Sequence, residues 1–231
     1  MIKVKHIEQH FTESEFIGDV VIGIADGLTV PFALAAGLSG TVSNTSLVVI
    51  AGISEIAAGS IAMGLGGYLA ARTNREHYLA EKEREYREIR ELSHREKEEV
   101  AVFLREWGLK EKDVQSAVED ITSDDERWVN FMMKYELGLE EPKPERARNS
   151  SLTIGLSYIF GGFIPLSPYI FIGNADKSLI VSILITLTAL FGFGWVKGKF
   201  TGTGALKSAL QTALVGGLAA GFAFALAKLI S

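Results

Sequence analysis

Long apolar runs and one long charged segment divide the chain. Five runs approach or exceed the roughly 20 predominantly apolar residues that a helix needs to cross the hydrocarbon core of a bilayer. The third is the clearest, because no charged side chain lies between Asn149 and Ala175. The pattern therefore predicts an all-α integral membrane protein with five transmembrane helices, at residues 16–41, 46–71, 150–173, 178–197 and 205–228.

The segment between the second and third runs has the opposite composition. Residues 72–148 hold 37 of the 51 acidic and basic side chains in a chain of 231 residues. An apolar body with a compact charged insert is the expected organisation. We predict three parts: residues 1–72 with the first two spans, residues 73–148 as a helical insert, and residues 149–231 with the last three spans.

Helix signals divide the insert further. No Gly or Pro lies between Tyr68 and Trp107, so the second transmembrane helix is expected to continue into the insert. Ser93 and Ser123 each precede a glutamate three positions later, which is the capping-box spacing of a helix start. We therefore predict a break at Ser93, a helix that ends near Gly108 and another that starts at Ser123.

The distribution of Lys and Arg predicts the orientation of the spans. Cytoplasmic loops of membrane proteins carry an excess of both residues. The N-terminal arm, the insert and the fourth loop contain them, whereas the two other loops share a single Lys. We expect the N-terminus, the insert and the fourth loop in the cytoplasm; outside the insert, the basic residues of that side are Lys3, Lys5, Lys197, Lys199 and Lys207.

Several kinds of chemistry have no sequence support. The chain has no Cys, which excludes disulfides and thiolate metal sites. It has no phosphate-binding glycine loop with a Lys, no nucleophile elbow and no basic aromatic surface for nucleic acid. We therefore expect neither an enzyme nor a nucleic-acid partner.

Glutamates in the insert recur at helical spacing. Residues three or four positions apart share a helix face, and a turn at the break would let two such faces meet. Carboxylates bind divalent cations, and a thioether ligand favours transition metals. The residues with this spacing are Glu81, Glu85, Glu88, Glu96 and Glu99, followed on the last insert helix by Met132, Met133 and Glu136.

A plainer interpretation fits the same residues. Interleaved acidic and basic side chains on a helix usually form a solvated face with weak ion pairs. Glu96 would then be only a helix cap, and Met132 only a filler of the apolar core.

The apolar spans also contain carboxylates. Asp26 lies in the first span and Glu55 in the second, with Met63 eight residues later. An ionised side chain at the bilayer centre costs about 2.5–3.5 kcal/mol even on the most lenient scale, and such groups commonly form ion or proton relays. The alternative is a protonated or hydrogen-bonded carboxyl that serves helix packing. Glu15 and Asp19, at the cytoplasmic end of the first span, form either an acidic entrance for cations or a compensation of the helix dipole.

Three functions are compatible with these residues. A metal transporter uses both sets of carboxylates. A membrane-tethered metal-binding or sensing protein uses only the insert and leaves Asp26, Glu55 and Met63 without a role. A membrane di-iron oxidase needs two Glu-x-x-His units, and the sequence has one, from Glu91 to His94. Transport is the function that we favour.

Four motifs resemble those of the vacuolar iron transporter family. They are DGLTVPFALAAGLSG at 26–40, GSIAMGLGGYLAA at 59–71, FMMKYELGLE at 131–140 and KSALQTAL at 207–214. The resemblance extends from about Phe11 to the end of the chain. It implies a homodimer in a lipid bilayer that exports Fe²⁺, and Mn²⁺ or similar ions, from the cytoplasm in exchange for protons. The metal would be the substrate, and no prosthetic group is implied.

The resemblance also implies roles for residues at matching positions. Asp26, Glu55 and Met63 would line the transport pathway at the dimer centre. The short N-terminal arm lacks the longer leader that plant members have, so we expect a prokaryotic member. Its location would be the plasma membrane if it is prokaryotic and a vacuolar membrane if it is eukaryotic. The metal ligands of the insert would be Glu85, Glu88, Glu96, Glu99, Met132 and Glu136.

Overall fold

The computed structural model describes residues 10–230, with side chains from Glu15 onward, and this part of the chain contains helices and no strand. Five helices are long and apolar enough to cross a membrane, so the prediction of five such helices in an all-α chain is confirmed. The N-terminal arm with Lys3 and Lys5 lies outside the described residues. The helices are α1 (His10–Ser39), α2 (Thr45–Glu91), α3 (Ser93–Glu106), α4 (Glu111–Thr122), α5 (Asp125–Tyr135), α6 (Arg146–Phe171), α7 (Ala175–Thr201) and α8 (Ala205–Ile230).

The chain forms two compact units. The first, which we call the membrane unit, comprises the described residues up to Tyr68 and those from Arg148 onward. The second, which we call the insert, comprises Leu69–Ala147. Helix α2 runs without interruption from the first unit into the second, as the absence of Gly and Pro after Tyr68 predicts.

Close helix packing in the membrane unit depends on small residues. A Cβ atom on Gly161 of α6 would lie 3.0 Å from the Ile24 carbonyl oxygen of α1. A Cβ atom on Gly27 of α1 would lie within 3.0 Å of the Tyr158 backbone of α6. Membrane helices associate through such contacts because no hydrophobic effect drives them together inside a bilayer.

Proline interrupts the hydrogen-bond ladder of α6 but does not end the helix. Pro168 has no N–H, so the Ile164 carbonyl loses its usual helical donor. That carbonyl instead accepts a 2.8 Å hydrogen bond from the Ser167 hydroxyl. Ser182 of α7 donates to the Pro165 carbonyl at 2.7 Å, which ties the two helices together. Neighbouring side chains therefore satisfy the backbone, as the apolar surroundings require.

The insert folds around its own apolar core. Helices α3, α4 and α5 pack with the second half of α2, and each contributes buried side chains. Gly108, with φ 87°, follows the end of α3 as predicted. Helix α4 lies in a segment for which the sequence pattern makes no specific prediction. The fully or nearly buried core residues are Tyr78, Ile89, Val100, Ala101, Leu104, Val114, Val118, Trp128, Val129, Met132 and Met133.

The predicted break between α2 and α3 is confirmed, but its capping chemistry is wrong. Leu92 occupies the N-cap position of α3, and no side chain caps that helix. Ser93 is already helical, so Glu96 is not the distal partner of a capping box. At α5, the cap is Asp124 rather than Ser123, because the Asp124 carboxylate accepts the Arg127 N–H at 2.8 Å.

Candidate functional site

Five glutamates from three helical segments converge in the insert. Glu85, Glu88 and Glu96 each offer a carboxylate oxygen, and these three oxygens lie within 4.8 Å of one another. Glu96, Glu99 and Glu136 form a second group at the same spacing. Glu96 belongs to both groups, so the five residues form one continuous feature, which we call the glutamate cluster.

The break at Leu92 creates this cluster. On one straight helix, Glu85 and Glu96 would lie about 16 Å apart, at 1.5 Å per residue. Because α3 starts afresh at Ser93, the two carboxylates instead approach within 4.8 Å. The third contribution comes from Glu136, the C-cap residue of α5, whose N–H donates to the Met132 carbonyl.

Burial gives two glutamates unusual acid–base behaviour. The side chains of Glu85 and Glu96 are 1% and 3% exposed. Burial, reinforced by Glu136, Glu88 and Glu96, raises the pKa of Glu85 to about 7. Burial and the neighbouring Glu99 likewise raise the pKa of Glu96 to about 7. Each group therefore resists ionisation in the metal-free protein, and a bound cation would remove that resistance.

The basic side chains at the cluster neutralise it only in part. Arg84 approaches Glu85 with 3.7 Å between Nη2 and Oε1, and Arg95 approaches Glu99 with 3.0 Å between Nε and Oε1. The other oxygen of Glu85 is buried and has no hydrogen-bond partner. Buried carboxylate oxygens that lack donors are groups that a divalent cation would satisfy.

Met132 has a packing role in the structure. Its side chain is completely buried in the apolar core of the insert, beside residues such as Val129 and Trp128. It also lies one helical turn before Glu136, so it is near the cluster along the chain. Its assignment as a metal ligand stays a prediction.

In the membrane unit, Glu55 is bonded to a tyrosine of another helix. The Tyr158 hydroxyl of α6 donates to Glu55 Oε1 on α2. The second oxygen, Oε2, is buried and has no hydrogen-bond partner. Met63 is half-buried on the same helix, two turns after Glu55.

Asp26 belongs to the same neighbourhood. It is half-buried on α1, and the adjacent Gly27 packs against the Tyr158 backbone. Helix α1 continues through Pro31 without a break.

The two acids at the start of α1 differ in burial. Asp19 is 5% exposed and accepts a 3.2 Å hydrogen bond from the Ser150 hydroxyl of α6. Glu15 is exposed. The entrance assigned to this pair stays a prediction.

The sequence reasoning missed two residues of this unit. Tyr158 and Ser150 each bond a carboxylate of another helix. Both lie in a span without charged side chains, where a hydroxyl group needs a partner. That need is a signal in the sequence, although it does not identify the partner.

Comparison with known proteins assigns the family. The model of the VIT family matches residues 17–228. The chain belongs to the VIT family. It is 49% identical over 225 residues to "Vacuolar iron transporter 1" of Arabidopsis thaliana, covering 97% of this chain and 90% of that protein. It is 50% identical over 224 residues to "Vacuolar iron transporter" of Centaurea cyanus, covering 97% and 91%.

A more distant relative comes from yeast. The chain is 39% identical over 222 residues to "Protein CCC1" of Saccharomyces cerevisiae, covering 93% of this chain and 69% of that protein. The VIT family is a family of transporters rather than enzymes, and the resemblance found in the four sequence motifs is confirmed.

Proposed function

We propose that the protein exports Fe²⁺, and also Mn²⁺, from the cytoplasm across a membrane in exchange for protons. The observation that carries the proposal is the glutamate cluster, in which Glu85 and Glu96 are buried and one oxygen of Glu85 has no hydrogen-bond partner. Membership in a family whose named relatives are iron transporters supports the same conclusion. Oxygen ligands alone would also accept Mg²⁺ or Ca²⁺. Selectivity for transition metals would come from a thioether ligand, which we assign to Met132.

The insert, residues 73–148, acts as the cytoplasmic capture domain in this proposal. Its metal ligands are Glu85, Glu88, Glu96, Glu99, Met132 and Glu136. The two membrane segments, 1–72 and 149–231, hold the transport pathway. Glu15 and Asp19 form its cytoplasmic entrance, and Asp26, Glu55 and Met63 lie farther along it.

Asp26 couples the two ion fluxes. A carboxylate in a bilayer is costly when ionised and unpaired, so it binds either a proton or a metal cation. Because the two partners exclude each other at one carboxylate, the arrival of a metal ion on one side requires the release of a proton.

The active form is a homodimer, with the pathway at its centre. Export has the same sense whether the membrane encloses a vacuole or the cell, because in both cases metal leaves the cytoplasm.

Transport is tested with the purified full-length protein in tight liposomes that contain a metal-quenched dye. Fe²⁺ is added outside under reducing conditions, and empty liposomes are the control. We expect quenching only in vesicles that contain the protein. Metal bound to the vesicles without entry would contradict transport and favour a membrane-tethered metal-binding protein.

A further inference from the structure

We propose that Tyr158 is a positioning residue, which holds one oxygen of Glu55 and leaves the other oxygen without a hydrogen-bond partner, as a ligand for the metal ion. This inference deepens the proposed function and rests on it. Tyr158 itself has no contact with the ion in this account, because its hydroxyl acts through the carboxylate of Glu55.

The hydrogen bonding of Glu55 is asymmetric. Oε1 accepts from the Tyr158 hydroxyl, whereas Oε2 is buried and has no partner in the structure. Buried polar atoms without partners are rare in proteins because each costs free energy, and the cost is higher among apolar spans. An oxygen kept in this condition, on the same helix as Met63, is one that a cation would satisfy.

The position of the Tyr158 hydroxyl is fixed by two helices. Tyr158 is 2% exposed. A Cβ atom on Gly59 of α2 would lie within 3.0 Å of the Tyr158 hydroxyl oxygen, and one on Gly27 of α1 would lie within 3.0 Å of the Tyr158 backbone. Two glycines therefore make room for the tyrosine between α1 and α2. The ring has little freedom to turn, so it holds the carboxylate in one orientation.

A fixed carboxylate binds a cation better than a mobile one. Hydrogen-bond partners of metal-binding carboxylates orient the ligand, and their loss typically costs about 10- to 100-fold in metal affinity or activity. The loss of the Tyr158 hydroxyl would leave Glu55 free to rotate, so each binding event would have to order it again.

The test compares Tyr158→Phe with Tyr169→Phe in the liposome uptake assay, with Fe²⁺ as the probe. Tyr169 is a matched control, because it is another buried tyrosine of α6 whose hydroxyl bonds a serine, Ser39, rather than a carboxylate. We expect Tyr158→Phe to raise the apparent KM for Fe²⁺ about tenfold while the maximal rate per folded protein changes little. Tyr169→Phe should leave the KM unchanged.

Two further variants keep the proposal testable. If Tyr158→Phe does not fold, Gly59→Ala displaces the same hydroxyl and should raise the KM in the same way. Glu55→Gln should impair transport, and adding Tyr158→Phe to it should have no further effect on the KM, because both changes act on one carboxylate.

The outcomes distinguish the positioning role of Tyr158 from the role of Glu55 in the transport pathway. An unchanged KM in Tyr158→Phe, with Glu55→Gln impaired, would overturn the positioning role alone. Additive KM effects in the double variant would also overturn it. Normal transport by Glu55→Gln would remove Glu55 from the pathway and would contradict the proposed function at this site.

Discussion

Glu83 and Glu85 are two residues apart on α2, but burial and neighbouring carboxylates give Glu85 a different chemistry. Glu83 is exposed to solvent, whereas Glu85 is 1% exposed and has carboxylate oxygens of Glu88 and Glu96 within 4.8 Å. A sequence pattern of alternating acids and bases describes both residues equally well. The distinction comes from the turn at Leu92, which brings Glu96 against Glu85 and excludes water from both.

The raised pKa of Glu85 predicts how metal-free stability depends on pH. The folded protein holds this proton up to about pH 7, whereas the unfolded chain releases it near pH 4.5. Between these values the folded state binds more protons, so the free energy of unfolding falls as pH rises. Glu85 is expected to lower the free energy of unfolding by about 3 kcal/mol as the pH rises through this range.

Glu85→Gln removes this dependence, because glutamine resembles the protonated acid at every pH. We expect the variant to unfold at a higher temperature than the wild type near pH 7 and at a similar temperature near pH 4.5. Thermal unfolding of the metal-free protein in detergent measures the difference, with Glu83→Gln as the exposed control. Parallel pH profiles for wild type and Glu85→Gln would contradict the assignment.

Asp26→Asn tests the coupling role of the half-buried carboxylate on α1. Asparagine keeps the size of the side chain, but its amide does not titrate, so it can neither take up nor release a proton during transport. We expect the variant to lose coupled transport and to bind Fe²⁺ at the insert with unchanged affinity by calorimetric titration. Asp176→Asn, at an exposed acid of α7, is the control and should transport normally. Normal exchange by Asp26→Asn would refute the role.

At the scale of the helices, the sequence predicts what depends on local composition. Five spans follow from apolar runs, and the break near residue 92 follows from a capping-box spacing even though Leu92 is the cap. Contacts between helices depend on positions that are far apart in the chain. Glu55 and Tyr158 are 103 residues apart, so no local pattern pairs them. The glutamate cluster is predictable in part. The pairs on α2 and on α3 follow from local spacing, whereas the approach of the two helices depends on the break, and Glu136 comes from the end of α5.

Glycine contacts between α1 and α6 allow a prediction at the same scale. In a helix, Gly→Ala is usually favourable by about 0.5–1 kcal/mol. At Gly27 the new Cβ would lie within 3.0 Å of the Tyr158 backbone, and such overpacking costs about 1–3 kcal/mol. At Gly18 of the same helix, nothing lies within 4 Å of the new Cβ. We expect Gly27→Ala to lower the thermal midpoint and Gly18→Ala to leave it unchanged or raise it. Equal midpoints would contradict the close packing of the two helices.

At the scale of the whole molecule, the chain separates two tasks by composition. The charged segment forms one compact unit with the glutamate cluster, two of whose carboxylates are buried, and the apolar segments form another with the half-buried carboxylates Asp26 and Glu55. Family membership indicates transport, and we propose that proton exchange drives it. The basis of this proposal is that both units contain carboxylates, and a carboxylate can hold either a proton or a cation.

Proton coupling is the central claim, and one measurement tests it directly. The purified protein is reconstituted in tight liposomes with an acidic interior, Fe²⁺ is added outside, and lumenal metal and lumenal pH are followed together. We expect metal entry to increase with the pH gradient, and each increment of entry to make the lumen more alkaline. Metal entry that is independent of the gradient and leaves the lumenal pH unchanged would contradict proton coupling.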